Sequence, residues 1–222
     1  MGRVSTTEDW QRFDIGSTAA EALDAAEVAV RNGDCIVLPT DTVYGIGADA
    51  FSASAVQGLL DAKARGRDMP PPVLIAEVSM LRSMGTEITA QTMELARAFW
   101  PGALTIIVRA QPSLRLDLGD RTDTIAVRVP DHPFTRELLR RTGPLAVSSA
   151  NVSGLPAAMS VDEAESQLGR SIRVYLDAGP ASGPVPSTIV DLSSEPRILR
   201  EGRITREEMN AVVPGLFGDP DA

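Results

Sequence analysis

Cationic and hydroxyl side chains recur at the ends of the predicted elements of this 222-residue chain, and their types suit the holding of a small anion. Lys63, Arg65 and Arg67 place three cations within five residues after a helical stretch. Arginine offers phosphate a planar fork and lysine a point charge, so a phosphate clamp is one reading. The other is a helix end whose cations complement the dipole, worth well under ~1 kcal/mol. Arg128 sits in Ile125-Ala126-Val127-Arg128-Val129, where its neighbours want burial. A buried guanidinium without a partner is costly. The partner is either structural, such as Asp41 or Asp177, or the carboxylate of a small substrate, and both readings stay open. Thr40, Asp41 and Thr42 follow an apolar run ended by Pro39, which has no N–H for a ladder. Polar groups just past the carboxyl end of a strand are where open α/β sheets place ligands. Ser149 and Asn151 lie at another such exit and read as an anion or ribose site or as a plain turn. Ser187-Thr188 opens a strand, and Arg200-Glu201-Gly202 closes one.

Composition removes several alternatives. A single histidine, His132, leaves little support for a histidine metal cage or a Ser-His-Asp triad. It lies in Pro130-Asp131-His132-Pro133 and is expected as a solvated turn residue. One cysteine, Cys35, excludes an internal disulfide and reads as a small buried hydrophobe in a cytoplasmic chain. A formal net charge of −9 argues against a general nucleic-acid surface while allowing a local basic pocket. No apolar run approaches the roughly 20 residues that span a bilayer, and Met1 to Ile15 lacks the apolar core of a signal peptide. Gly45-Ile46-Gly47-Ala48-Asp49-Ala50 fits a dinucleotide fingerprint, but Pro39 to Tyr44 separates it from the strand it should follow. No Walker A motif occurs. Gly45 and Gly47 are instead expected where a ligand or another backbone comes close.

The elements that must position these groups alternate irregularly. Helices are predicted from Thr18 (capping box with Glu21) to Asn32-Gly33, Ser54 to Ala64, Thr89 to Trp100 and Phe134 to Arg141, and after the capping boxes Ser160/Glu163 and Thr205/Glu208. Strands are predicted at Cys35–Leu38, Val73–Ala76, Leu104–Val108, Thr124–Val129, Leu145–Val147, Arg173–Leu176, Thr188–Leu192 and Arg197–Arg200. Leu114 to Asp123 reads as a flexible cover, Gly179 to Pro186 as a Gly/Pro-rich loop, and Asp219 to Ala222 as a fraying end. The pattern predicts one α/β domain with a mixed, twisted open sheet flanked by helices and a central cleft. Its boundaries fall at 17–213, between an extension at 1–16 and a tail at 214–222.

Together these pieces resemble the YrdC-like family of threonylcarbamoyl-AMP synthases. The resemblance rests on Pro39-Thr40-Asp41-Thr42-Val43-Tyr44-Gly45, Lys63-x-Arg65, Trp100-Pro101-Gly102-x-Leu104-Thr105, Ala126-Val127-Arg128-Val129-Pro130, Ser149-Ala150-Asn151-x-Ser153-Gly154, Ser187-Thr188 and Leu199-Arg200-x-Gly202, in the family's order. It covers about residues 17–210 and matches the short bacterial form. It implies that L-threonine, bicarbonate and ATP give threonylcarbamoyl-adenylate and pyrophosphate. A separate transferase would then pass the threonylcarbamoyl group to N6 of an adenosine in tRNA. By the same resemblance Thr42, Arg128 and Ser187 would hold threonine. Lys63, Arg65, Thr124, Ser149, Asn151 and Arg200 would hold ATP, with Lys63 and Arg65 also catalytic. Mg2+ would come with ATP, ligated mainly by phosphate oxygens and water. Three positions depart from the family pattern: Met69 for a polar residue, Leu74 for a histidine near threonine, and Ser148 for a proline. The fold's link to RNA leaves a non-catalytic RNA-binding module, or weak RNA binding beside catalysis, as the alternative. A carbamoyl-adenylate former is a third reading.

Overall fold

Strand residues alternate between the two faces of one sheet, and that alternation decides where the cavity lies. The computed structural model describes residues 10–218. In chain order the elements are β1 (Gln11–Asp14), α1 (Ala19–Arg31), β2 (Ile36–Leu38), β3 (Gly45–Asp49), α2 (Ala53–Ala62), β4 (Val73–Leu74), α3 (Leu81–Met84), β5 (Gly85–Thr86), α4 (Ala90–Phe99), β6 (Leu104–Ala110), β7 (Thr124–Arg128), α5 (Pro133–Thr142), β8 (Leu145–Ser149), α6 (Val161–Leu168), β9 (Val174–Asp177), β10 (Thr188–Asp191), β11 (Arg197–Arg200) and α7 (Arg206–Val212). The strands run β1-β9-β2-β3-β8-β4-β7-β6-β10-β11, with β5 beside β6. β2–β3, β3–β8 and β6–β7 are antiparallel, whereas β2–β9, β4–β7 and β6–β10 are parallel. This is the mixed α/β sheet flanked by helices that the pattern predicts.

Val37, Val73, Ala146 and Tyr175 face a core that also takes residues of α2, α4, α6 and α7. Their strand neighbours Ile36, Leu38, Leu145, Val147, Val174 and Leu176 face a second core, packed under α1 and α5. Each such side chain gains about 1.5–3 kcal/mol from burial. The second face is roofed only in part. α1 and α5 close over β9, β2, β3 and β8, and the second core takes no residue of β6, β7, β10 or β11. That uncovered half of the face is where the chain's polar strand residues collect.

Several elements depart from expectation. Residues 45–49 form β3 rather than a loop, and side chains of neighbouring strands press on both glycines. A Cβ on Gly45 would lie 2.7 Å from Val147 Cγ1, and one on Gly47 2.6 Å from Leu38 Cδ2. Thr18 precedes α1 but makes no capping box, because its hydroxyl donates to the Asp14 carbonyl instead. β8 runs two residues past Val147, which puts Ser148 and Ser149 on a strand end. His132 is not a solvated turn residue. It is half-buried and caps α5, with Nδ1 accepting from the Thr135 amide at 3.4 Å, and burial lowers its pKa. Packing also reaches beyond the expected boundaries at 17 and 213: β1 pairs with β9, and Phe217 is buried and exchanges hydrogen bonds with Asn210. The expected fraying at Asp219 to Ala222, and residues 1–9 of the extension, lie outside the described residues.

Candidate active site

The cation cluster after α2 is split by a tight turn. Lys63 ends the helix, and Ala64 adopts φ +49°. The Arg65 amide donates to Leu60 O and the Ala64 amide to Asp61 O, which is the paired closure of a left-handed helix end. Holding an alanine there costs about 1 kcal/mol, and the turn sends the three cations different ways. Lys63 is buried, with Nζ 2.5 Å from Ser149 O, 2.6 Å from Asn151 O and 3.4 Å from Asn151 Oδ1. Arg65 donates through Nε to Met69 O at 2.9 Å and through a terminal nitrogen to Ser148 Oγ at 3.0 Å. Arg67 turns to the loop 114–123, pairing with Asp117 and, at 3.5 Å, with Asp120. That loop, expected as a flexible cover, is thereby tied down: the Asp120 amide donates to Arg67 O, and Leu118 is buried.

The open half of the sheet face supplies the floor. Thr105, Ile107 and Arg109 of β6 alternate with core residues Leu104, Ile106 and Val108. Arg109 is opposite Thr124, and Ile107 opposite Ala126, on β7. Ile107 also pairs with Asp191 of β10, which in turn pairs with Arg197 of β11. Arg128 ends the β7 row, 6% exposed. Its Nε donates to Gly102 O at 2.9 Å, one terminal nitrogen to Asp41 Oδ1 at 2.7 Å, and the other to Thr42 Oγ1 at 3.3 Å. Of the two structural partners considered, Asp41 is the one found; Asp177 pairs with Arg12 at the far edge of the sheet. Three of five guanidinium N–H donors are thus used, which leaves two for a ligand. Arg200 donates twice to Ser187 O and once to Ser187 Oγ at 3.1 Å, and Ser187 Oγ lies 2.9 Å from Thr105 Oγ1. Gly202 makes this closeness possible: a Cβ there would sit 2.4 Å from Pro186 O and 2.5 Å from the Thr188 amide nitrogen.

These groups enclose a cavity of about 840 Å3, within the usual range for small-molecule sites. Strands and loops line it, and no helix residue does. Thr42, Arg65, Thr124, Arg128, Ser149, Asn151, Ser187 and Arg200 all reach it, from segments as far apart in sequence as residues 42 and 200. Lys63 does not. The Ser149 and Thr124 hydroxyls have no hydrogen-bond partner among the described residues, and the Asn151 amide donates to Val152 O and Leu155 O. Burial first, and then the positive charges of Arg128 and Arg65, lowers the Arg200 pKa. Burial also lowers Arg65, which Asp68 offsets only in part. Arg200 is therefore held against the repulsion of two neighbouring guanidinium groups, an arrangement an anion relieves. Sequence reasoning gave no site role to Thr105, Arg109, Arg121, Asp191 and Arg197, which lie on the wall. The signal was the step of two in Thr105-x-Ile107-x-Arg109 and Ser187-x-Ile189-x-Asp191, in phase with Thr124-x-Ala126-x-Arg128. Met69 is exposed at the rim, and Leu74 is a buried wall residue. Among the described residues no group of three or more His, Cys, Asp or Glu could hold a metal, and no helix is long and apolar enough to cross a membrane.

A family model for Sua5/YciO/YrdC, described as telomere recombination, matches residues 28–202. The chain belongs to the Sua5/YciO/YrdC family. Every cavity residue named above falls inside the matched span of that family. A relative from Mycobacterium tuberculosis (strain H37Rv) is 50% identical over 195 residues, 86% of this chain and 90% of its own; its name gives threonylcarbamoyl-AMP synthase as a provisional assignment. The threonylcarbamoyl-AMP synthase of Bacillus subtilis (strain 168) is 36% identical over 208 residues, 91% of this chain and 60% of the relative. Among solved structures, Pyrococcus abyssi Sua5 complexed with L-threonine superposes with a TM-score of 0.81 at 32% identity, over 92% of this chain and 60% of the other.

Proposed function

We propose that this Sua5/YciO/YrdC chain is an enzyme that joins L-threonine, bicarbonate and ATP into threonylcarbamoyl-adenylate, with release of pyrophosphate. The single observation that carries the reading is the convergence of Arg65, Arg128 and Arg200 on one cavity. The similarity to threonylcarbamoyl-AMP synthases names the chemistry. In this reading the threonine amine attacks the carbon delivered by bicarbonate, a C–N bond forms and water leaves. A carbamate oxygen then attacks the α-phosphorus, and the bond from that phosphorus to the pyrophosphate oxygen breaks. No covalent protein nucleophile is needed; positioning and neutralisation of charge are.

Arg128, held between Asp41 and Gly102 O, has donors left for the threonine carboxylate, with Thr42 beside it and Ser187 on the same cavity wall. Arg65 and Arg200 would neutralise phosphate, and the free hydroxyls of Ser149 and Thr124 would meet the nucleotide. Asn151 has its amide hydrogens engaged by the protein, so its contribution is the shape of its turn. A cationic wall without a carboxylate cage fits an ion that arrives on the triphosphate. Mg2+ would thus bind phosphate oxygens and water, drawing charge from the leaving pyrophosphate. The product would pass to a separate tRNA-modifying transferase. RNA binding by this chain itself is expected to be weak, because the net charge is −9 and its converging guanidinium groups are enclosed. Purified protein should release pyrophosphate from ATP only when threonine and bicarbonate are both present. Release that ignores threonine, or none above background, would overturn the reading.

A further inference from the structure

Lys63 stands where a ligand contact would not be built. It is 2% exposed and absent from the cavity wall, although Arg65, two residues on, is part of that wall. Its ammonium has three N–H donors and meets three protein acceptors: Ser149 O, Asn151 O and Asn151 Oδ1. Its own carbonyl accepts from the Ser153 amide at 2.8 Å. The turn after β8 is therefore wrapped around this one residue, from side chain and backbone together. The next anchors are the Ala150 amide on Tyr44 O and the Val152 amide on Gln167 Oε1. The ammonium draws in the carbonyls of Ser149 and Asn151 while the Ser149 hydroxyl remains free toward the cavity.

We propose that Lys63 is a positioning residue, which sets the shape of the Ser149–Ser153 turn from beneath and touches neither nucleotide nor threonine. A neutral amine has only two N–H donors for the three acceptors, so the turn needs the charged form. Arg65 is the charged group that bears on Lys63; its repulsion adds to burial and brings the ammonium down to about 8, with no carboxylate opposing. Bound phosphate would favour the ammonium. Nucleotide affinity is accordingly expected to fall as pH rises through about 8 in the wild type and to lose that dependence in Lys63→Met.

The proposal rests on the nucleotide reading only for this effect on affinity, so the test has an arm that needs no ligand. Amide hydrogen exchange is measured on the free full-length chain, wild type and Lys63→Met. Exchange at residues 150–153 should quicken by about ten-fold or more, the loss expected for one charge-assisted hydrogen bond, with the helices unchanged. ATP and adenosine are then titrated. A displaced turn should weaken both, whereas a lost phosphate contact would weaken ATP and spare adenosine. Unchanged exchange at 150–153, or a loss confined to ATP, overturns the proposal. If wild type binds neither, the functional reading fails and the exchange arm still decides the role of Lys63. Should Lys63→Met not fold, the same exchange followed in wild type across pH 7 to 9, corrected for the intrinsic rate, gives the answer: extra opening of this segment supports the proposal and none overturns it.

Discussion

One face of the sheet is closed over β9, β2, β3 and β8 and open over β7, β6, β10 and β11. Both halves alternate with the same period of two. In the closed half the outward positions are Ile36, Leu38, Leu145, Val147, Val174 and Leu176, and α1 and α5 pack on them. In the open half the equivalent positions are Thr105, Arg109, Thr124, Arg128, Ser187 and Asp191. Helices cover a surface only where burial repays the order it imposes, so residue type alone decides where the roof stops. The cavity follows from this division. It lies on the same sheet face as the roofed core, at the line where apolar residues give way to polar ones.

Substitutions on either side of that line should have separable effects. The largest is expected under the roof. Leu138→Ala on α5 removes a fully buried side chain and should cost about 2–5 kcal/mol of stability by denaturant unfolding. ATP affinity of the folded fraction should stay within two-fold. In the open half, Arg65→Ala should weaken ATP by the about 1.5–3 kcal/mol of a charge-assisted hydrogen bond while the melting temperature holds, because relief of repulsion offsets lost contacts. Arg128→Ala should act mainly on threonine; unaltered threonine affinity would make Asp41 its whole purpose. At the seam between β10 and β11, Gly202→Ala forces backbone apart at Pro186 and Thr188 and should cost about 1–3 kcal/mol. It should weaken threonine and ATP together, since Ser187 and Arg200 move as one unit. The smallest effect concerns the sheet's opposite face. There Cys35 is buried and its thiol is pushed up to about 12, so the thiolate is scarce at every lower pH. Alkylation of the native chain at pH 8 should be negligible and should appear on unfolding.

Much of this arrangement is legible in the sequence, because it depends on residue type. Arg128 among β-branched neighbours reads as a guanidinium that needs a partner. Ser149, Ser187 and Arg200 read as polar groups at strand ends, and the main helices follow from apolar spacing. Other features require partners that no single segment contains. Gly45 and Gly47 erase the alternation of β3, and only Leu38 and Val147 on neighbouring strands explain why side chains are missing there. β1 is polar and short, and it exists because β9 offers an edge. Lys63 and Arg65 differ little as letters, yet the left-handed Ala64 between them sends one beneath the turn and the other into the cavity. The Thr18 capping box shows the converse failure: the motif is present, and a nearer carbonyl takes the hydroxyl.

The most direct test of the account is a crystal structure of the chain with threonine and a non-hydrolysable ATP analogue. The account predicts the threonine carboxylate on Arg128, the phosphates between Arg65 and Arg200, and Lys63 still on the carbonyls of Ser149 and Asn151. Ligand density outside this cavity, or guanidinium groups that stay on their present protein partners with no ligand among them, would contradict it.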